Sequence, residues 1–220
     1  MPGESLDLSR DGARLWPGPA GSIEVLVDGA ATVRRGIAII AHPQPLLGGS
    51  ARHKVPHFLA RTVVEDGWLA IRPNFRGVGA SGGVHDAGNG ETDDLAALCE
   101  AARAGAIGRP LALIGVSFGA YVCARVARRL ADAGAPASRT CLAAMPFGDV
   151  PAGRRYDTPD GMPAALVLHG ELDEQVPLAS IFDWARPTSQ PVTVIAGADH
   201  LFTGKLPVVR AQLRAHLDLK

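Results

Sequence analysis

A serine hydroxyl attacks a carbonyl carbon at neutral pH only when a base takes its proton, and that base needs a carboxylate to fix its tautomer. Three loops of this chain carry those residue types, each directly after an apolar run. Gly115-Val116-Ser117-Phe118-Gly119 follows Leu111 to Ile114 and leads into a helical pattern, which puts a G-x-S-x-G sequence in a strand-turn-helix setting. His169-Gly170-Glu171-Leu172-Asp173-Glu174-Gln175-Val176-Pro177 follows Ala164 to Leu168, and Gly197-Ala198-Asp199-His200 follows Val192 to Ala196. Ser117 is the candidate nucleophile and His200 the candidate base. Asp173 is the leading acid, because it joins those two at one sheet edge in the order nucleophile, acid, base. Glu171, Glu174 and Asp149 compete for that role.

Acyl transfer also requires donors for the developing oxyanion, usually the N–H after the nucleophile and one from the loop after an early strand. Phe118 supplies the first. The second falls in His42-Pro43-Gln44-Pro45-Leu46-Leu47-Gly48-Gly49, where prolines stiffen the backbone on both sides of Gln44 and leave its own N–H free. Leu46, Leu47, Trp184 and Phe202, with Phe118 and Phe182, are candidates to line a substrate cleft. His169 reads as a strand-end residue whose ring braces the acid loop.

Other patterns carry less. Gly77-Val78-Gly79-Ala80-Ser81-Gly82 matches G-x-G-x-x-G, yet it runs on through Gly83 to Asp86 instead of opening a helix, so a dinucleotide site is not expected. His53 and His57 have a metal-ligand spacing interrupted by Pro56, with no accompanying carboxylate, and read as solvated helix residues. Arg125, Arg128 and Arg129 read as a solvated helix face.

The elements that must position these loops alternate. Apolar runs at Ile37 to Ala41, Trp68 to Ile71, Leu111 to Ile114 and Ala164 to Leu168, with weaker ones at Thr140 to Met145 and Pro191 to Ala196, predict strands buried on both faces. Ser22 to Val27, closed by Asp28-Gly29, predicts a hairpin with a partner strand over Ala31 to Arg35. Helical spacing covers Ser50 to Val64, Glu91 to Ala106, Phe118 to Leu130 and a segment opening near Pro207. Strands alternating with helices predict an α/β fold, a mostly parallel central sheet with helices on both faces, whose ligands sit at the carboxyl ends of the strands.

The 220 residues suit one domain, 1–220, with residues 1–20 as an N-terminal extension. Twenty-two Lys and Arg balance 22 Asp and Glu, which excludes nucleic acid as a main ligand and fits a neutral small-molecule ester. Cys99, Cys123 and Cys141 are an odd set without C-x-x-C spacing, as expected of reduced core thiols in a cytoplasmic protein. Nothing predicts a secretion signal, a membrane span or a metal site. About sixteen residues between Pro146 and Met162 are too few for a helical lid, so an open cleft favouring short acyl chains is expected.

Taken together, the loop His42 to Gly49, the segment Arg72-Pro73-Asn74-Phe75-Arg76-Gly77-Val78-Gly79-Ala80-Ser81, the elbow Gly115 to Gly119, the stretch His169 to Asp173 with Val176-Pro177-Leu178, and Gly197 to His200 resemble the small, lidless bacterial α/β-superfamily hydrolases, similar in size to dienelactone hydrolases but with serine in place of cysteine. The resemblance runs from about residue 20 to the end. It implies an α/β-hydrolase fold and a carboxylesterase-type serine hydrolase, with Ser117, Asp173 and His200 as triad, backbone donors at Gln44 and Phe118, and no cofactor. A thioesterase, amidase or lactone hydrolase would share the same triad, and a catalytically silent scaffold used for binding is the reading from another class. A homodimer fits the architecture, though no residue points to one. The family usually has a second histidine where Gln44 stands, and Thr-Met and Asn-Lys pairs where this chain has Ser50-Ala51 and His53-Lys54.

Overall fold

The computed structural model describes residues 5–31, 35–151, 153–162 and 164–218. Its core is an eight-stranded sheet in the order β1-β2-β4-β3-β5-β6-β9-β10. These strands are β1 (Gly12–Gly18), β2 (Gly21–Asp28), β3 (Ile37–Ala41), β4 (Leu69–Pro73), β5 (Leu111–Val116), β6 (Arg139–Ala143), β9 (Ala165–Gly170) and β10 (Thr193–Ile195). All pairings from β4 through β10 are parallel; β1 and β2 add to one edge by antiparallel pairing. A separate antiparallel pair, β7 (Gly148–Val150) and β8 (Arg154–Tyr156), lies outside the sheet.

The period of two along a strand explains the continuous apolar runs. Ile37 and Ile39 face one core with Leu69, Leu111 and Leu113, covered by Leu95, Leu98 and Cys99 of α2 (Asn89–Gly105), Val122 and Val126 of α3 (Phe118–Asp132), and Ile181 and Trp184 of α4 (Leu178–Ala185). Ala38 and Ile40 face the opposite core with Ala70, Ala112 and Ile114, under Val55, Leu59 and Val63 of α1 (Lys54–Glu65) and Val209, Leu213 and Leu217 of α5 (Leu206–Leu217). Pro56 falls in the first turn of α1, where its missing N–H costs no helical bond. Cys99, Cys123 and Cys141 are buried and unpaired, and burial pushes the Cys99 and Cys141 thiols up to about 12. Among the described residues no helix is long and apolar enough to cross a membrane.

The sequence reading differs from this near the N-terminus. The hairpin partner of β2 is β1, which precedes it, so residues 12–18 of the expected N-terminal extension form an edge strand; Trp16 faces the core, while Leu6 and Leu8 are also buried. Of the strand expected over Ala31 to Arg35, residues 32–34 lie outside the described residues, and Ala31 and Arg35 are not in a strand. As expected, the segment between Pro146 and Met162 holds no helix among its described residues; it carries the short β7–β8 ribbon, which the sequence did not announce.

Candidate functional site

At the carboxyl end of β5 the chain turns into α3 through Ser117, whose backbone sits at φ 54°, ψ −122°. That left-handed conformation is strained for a side-chain-bearing residue and lifts the hydroxyl above the sheet edge. The flanking glycines are required by space. A Cβ on Gly115 would lie 2.4 Å from Ala120 Cα, and one on Gly119 would lie 2.4 Å from the Ala41 carbonyl oxygen. The strand-turn-helix elbow closes only because both lack one.

The acid loop leaves β9 and the base loop leaves β10. Gly170 lets them touch, since a Cβ there would stand 2.5 Å from the Ala198 and Asp199 carbonyl oxygens. Leu172 N–H donates to Ala198 O at 2.9 Å, and Gly197 N–H donates to the Glu171 carboxylate at 2.8 Å, so Glu171 ties the two loops together. Asp149 pairs with Arg155 on the surface, 3.2 Å apart. Asp173 is the acid that reaches the imidazole. Its Oδ1 accepts the N–H groups of Gln175 and Val176 at 2.9 and 2.8 Å, while Oδ2 lies 2.8 Å from His200 Nδ1. A carboxylate only accepts, so Nδ1 carries the proton and Nε2 is left to accept from the Ser117 hydroxyl, also at 2.8 Å. All three side chains are buried.

Two further histidines brace this arrangement from behind. His169 Nε2 donates to Val176 O at 2.9 Å, fixing the turn whose N–H groups hold Asp173, and burial lowers its pKa. His42 donates from Nδ1 to Pro43 O at 2.7 Å and accepts the Phe75 N–H on Nε2 at 3.0 Å; burial lowers it from 6.5 to about 4. Burial disfavours the charged form of both.

The loop after β3 closes on itself. Leu47 and Gly49 N–H both donate to Gln44 O, and Gly49 has no room for a Cβ, which would lie 2.2 Å from Pro43 O. Arg72 and Asn74 then clamp the next peptide: Asn74 Oδ1 accepts Ala51 N–H and Arg72 donates to Ala51 O, each at 2.7 Å. This gives the Arg72 to Ser81 block a role, and its glycine turn has a packing cause, because a Cβ on Gly79 would lie 2.2 Å from the Glu24 carboxylate. The turn is followed by a helix only at Asn89. Among the described residues, neither Gln44 N–H nor Phe118 N–H has a hydrogen-bond acceptor.

A cavity of about 120 Å³ opens against Ser117 and His200. One wall is the loop after β3 with Pro43, Gln44, Leu47 and His53; the facing wall is the β7–β8 ribbon with Val150, Arg154 and Tyr156. Gln44 Nε2 joins the walls by donating to the Tyr156 hydroxyl at 3.1 Å. Of the apolar residues expected to line a cleft, only Leu47 does. Leu46 is exposed, Trp184 is buried in α4 with its Nε1 donating to Pro159 O at 3.0 Å, and Phe202 points into the α1–α5 core from a backbone at φ 56°. Phe118 is buried among the rings of Phe75, His85, Tyr121 and Tyr156, and Phe182 is an exposed residue of α4. His53, read from sequence as solvated, lines the cavity and caps α1; His57 is exposed. Arg125 and Arg129 bond to Asn89 and Asp93 on the helix surface.

No protein-family model matches the chain. Over 199 residues it is 31% identical to the uncharacterized protein RP471 of Rickettsia prowazekii, covering 86% of this chain and 81% of that protein. Among solved structures it superimposes with a TM-score of 0.83 and 35% identity on XC6422 from Xanthomonas campestris, an α/β serine hydrolase without a lid, covering 95% and 94% of the two chains. The chain belongs to the lidless α/β serine hydrolases. A serine hydrolase homologue from Coxiella burnetii agrees, at a TM-score of 0.78 and 31% identity over 94% and 97% of the chains. The more distant esterase Pf2001 from Pyrococcus furiosus, 15% identical at a TM-score of 0.73 over 99% and 96% of the chains, shares the α/β-hydrolase fold.

Proposed function

We propose that this lidless α/β hydrolase cleaves carboxylic esters with short acyl groups through an acyl-serine intermediate. The observation that carries the reading is the unbroken relay Asp173–His200–Ser117, two contacts of 2.8 Å each, at the wall of a cavity of about 120 Å³. In this reading Ser117 Oγ attacks the ester carbonyl carbon as His200 Nε2 takes its proton. The carbonyl oxygen becomes an oxyanion held by the Gln44 and Phe118 N–H groups, each such donor being worth roughly 10²–10³ in rate. The C–O bond to the alcohol then breaks, and His200 returns the proton to the departing oxygen. Water repeats the sequence on the acyl-enzyme and frees the acid. Asp173 stays ionised throughout and stabilises the imidazolium.

A p-nitrophenyl ester series from acetate to palmitate, with fluorophosphonate labelling, tests this. Wild type should be labelled and turn over the short esters best. Ser117→Ala should abolish labelling and lower turnover by at least about 10⁴-fold. A wild-type protein that is neither labelled nor active overturns the reading in favour of a binding scaffold. Best turnover on the longest chains overturns the short-acyl part alone.

A further inference from the structure

The β7–β8 ribbon has two faces of different electrical character. Side chains alternate along a strand, so Arg155 points to one side while Arg154 and Tyr156 point to the other. On the outer face Arg155 is neutralised twice, by its cross-strand partner Asp149 at 3.2 Å and by Asp157 at 3.3 Å. On the inner face Arg154 stands across from Val150 and lines the cavity beside Ser117. Among the described residues Arg154 has no ion pair and no hydrogen bond, and no Asp or Glu lines that cavity. A half-buried guanidinium left unpaired at a substrate wall, when the next residue is paired twice, is a cation kept for something that is not part of the chain. Tyr156 adds a second donor on the same face. Its oxygen already accepts from Gln44 Nε2, and among the described residues no acceptor takes its O–H.

We propose that Arg154, assisted by the Tyr156 hydroxyl, binds a carboxylate carried by the ester substrate, so that the preferred substrates are anionic esters. The proposal rests on the reading of Ser117 as the nucleophile. It reverses the expectation of a neutral ester drawn from overall charge, because the cavity has its own balance: one unpaired cation and no carboxylate. A guanidinium meets a carboxylate through two parallel N–H donors, which orients the ester as well as attracting it.

The test uses matched pairs of esters that differ in one charge. Mono-p-nitrophenyl adipate and its methyl ester place the charge on the acyl side; 4-acetoxybenzoate and its methyl ester place it on the alcohol side. Wild type should favour the anionic member of at least one pair by about tenfold in kcat/KM, and raising the salt concentration should shrink that ratio. Arg154→Gln should lower the ratio to near one, Arg154→Lys should keep part of it, and Arg155→Gln on the outer face should leave it unchanged. The salt dependence of the wild-type ratio needs no variant, so it decides the matter even if Arg154→Gln does not fold. Turnover of the neutral esters without any preference for the anionic ones overturns this proposal and leaves the esterase reading standing. A wild type that turns over none of the four esters and is not labelled by the fluorophosphonate overturns both.

Discussion

The elbow at Gly115–Gly119 and the ribbon at 148–156 both border the same cavity, yet they are built in opposite ways. In the elbow, backbone packs on backbone: a Cβ on Gly115 or Gly119 would lie 2.4 Å from main-chain atoms. In the ribbon, Gly148 and Gly153 have positive φ but nothing within 4 Å of the space a Cβ would take. The ribbon is held by side chains instead. Tyr156 accepts from Gln44, Thr158 Oγ1 donates to Pro146 O at 2.6 Å, and Tyr156 packs its ring against Tyr121 at 5.1 Å. The wall that would do chemistry therefore tolerates no change of shape. The wall that would choose substrates can change residues without moving the relay.

A pair of glycine substitutions probes that contrast with the largest expected effect. Gly119→Ala drives a methyl into Ala41 O and His42 O, which can be relieved only by moving α3 off β3. It should cost about 3 kcal/mol or more and slow fluorophosphonate labelling, because the Ser117 elbow shifts with the helix. Gly153→Ala meets no atom and suffers only the left-handed backbone, at φ 68°, which costs about 1 kcal/mol. Urea melts of both variants measure this. Equal losses would mean that the two walls are not built differently.

A smaller effect comes from the neutral histidine under the loop after β3. His42 is lowered from 6.5 to about 4 by burial, so between those values the unfolded chain binds a proton that the folded protein refuses. Its contribution to stability is complete above about pH 6.5 and is lost as the pH falls from there to about 4, a change of about 3 kcal/mol. His169 is shifted in the same direction and adds to the trend. His42→Gln should weaken the protein somewhat near pH 7 and make the decline toward pH 4 shallower by about 2–3 kcal/mol. An unchanged slope would show that the His42 proton is not the one refused.

The same difference in construction decides what could be seen in the sequence. Ile37 to Ala41 and Leu111 to Ile114 are buried on both faces, and Ala164 to Leu168 becomes so from Val167 on; all three runs are apolar at every position and announce their strands. Ser117 and Asp173 were readable as candidates because each follows such a strand, and His200 because the apolar run Val192 to Ala196 precedes it, although β10 itself is short and partly exposed. β7 and β8 have three residues each, too short for a period of two to register, and Arg154 differs from Arg155 only through a hairpin register that no local pattern encodes. Trp184 and Phe202 failed as cleft residues for a related reason. Nearness to Asp173 or His200 along the chain does not set direction: α4 turns Trp184 inward with Ile181, and the positive φ at Phe202 turns its ring into the opposite core. β1 was missed because glycines at both ends and an exposed Leu15 dilute its alternation.

The smallest effect concerns the joint between the walls. The Gln44 side chain donates to the Tyr156 hydroxyl while its backbone N–H is one of the two proposed oxyanion donors. Those two duties use different atoms and should separate. Gln44→Ala removes the amide but keeps the backbone donor, so Ser117-dependent turnover should fall only a few-fold, far less than the roughly 10²–10³ expected for loss of an oxyanion donor. Tyr156→Phe removes the acceptor and keeps the ring contacts with Phe118 and Tyr121. If the hydrogen bond is what couples ribbon to loop, the double variant should be less destabilised than the sum of the singles, with a coupling of about 1 kcal/mol. Strict additivity would mean that the ribbon is held by its other contacts, the ring packing of Tyr156 and the Thr158 bond to Pro146 O, and that the residue at position 44 can change without the substrate wall registering it.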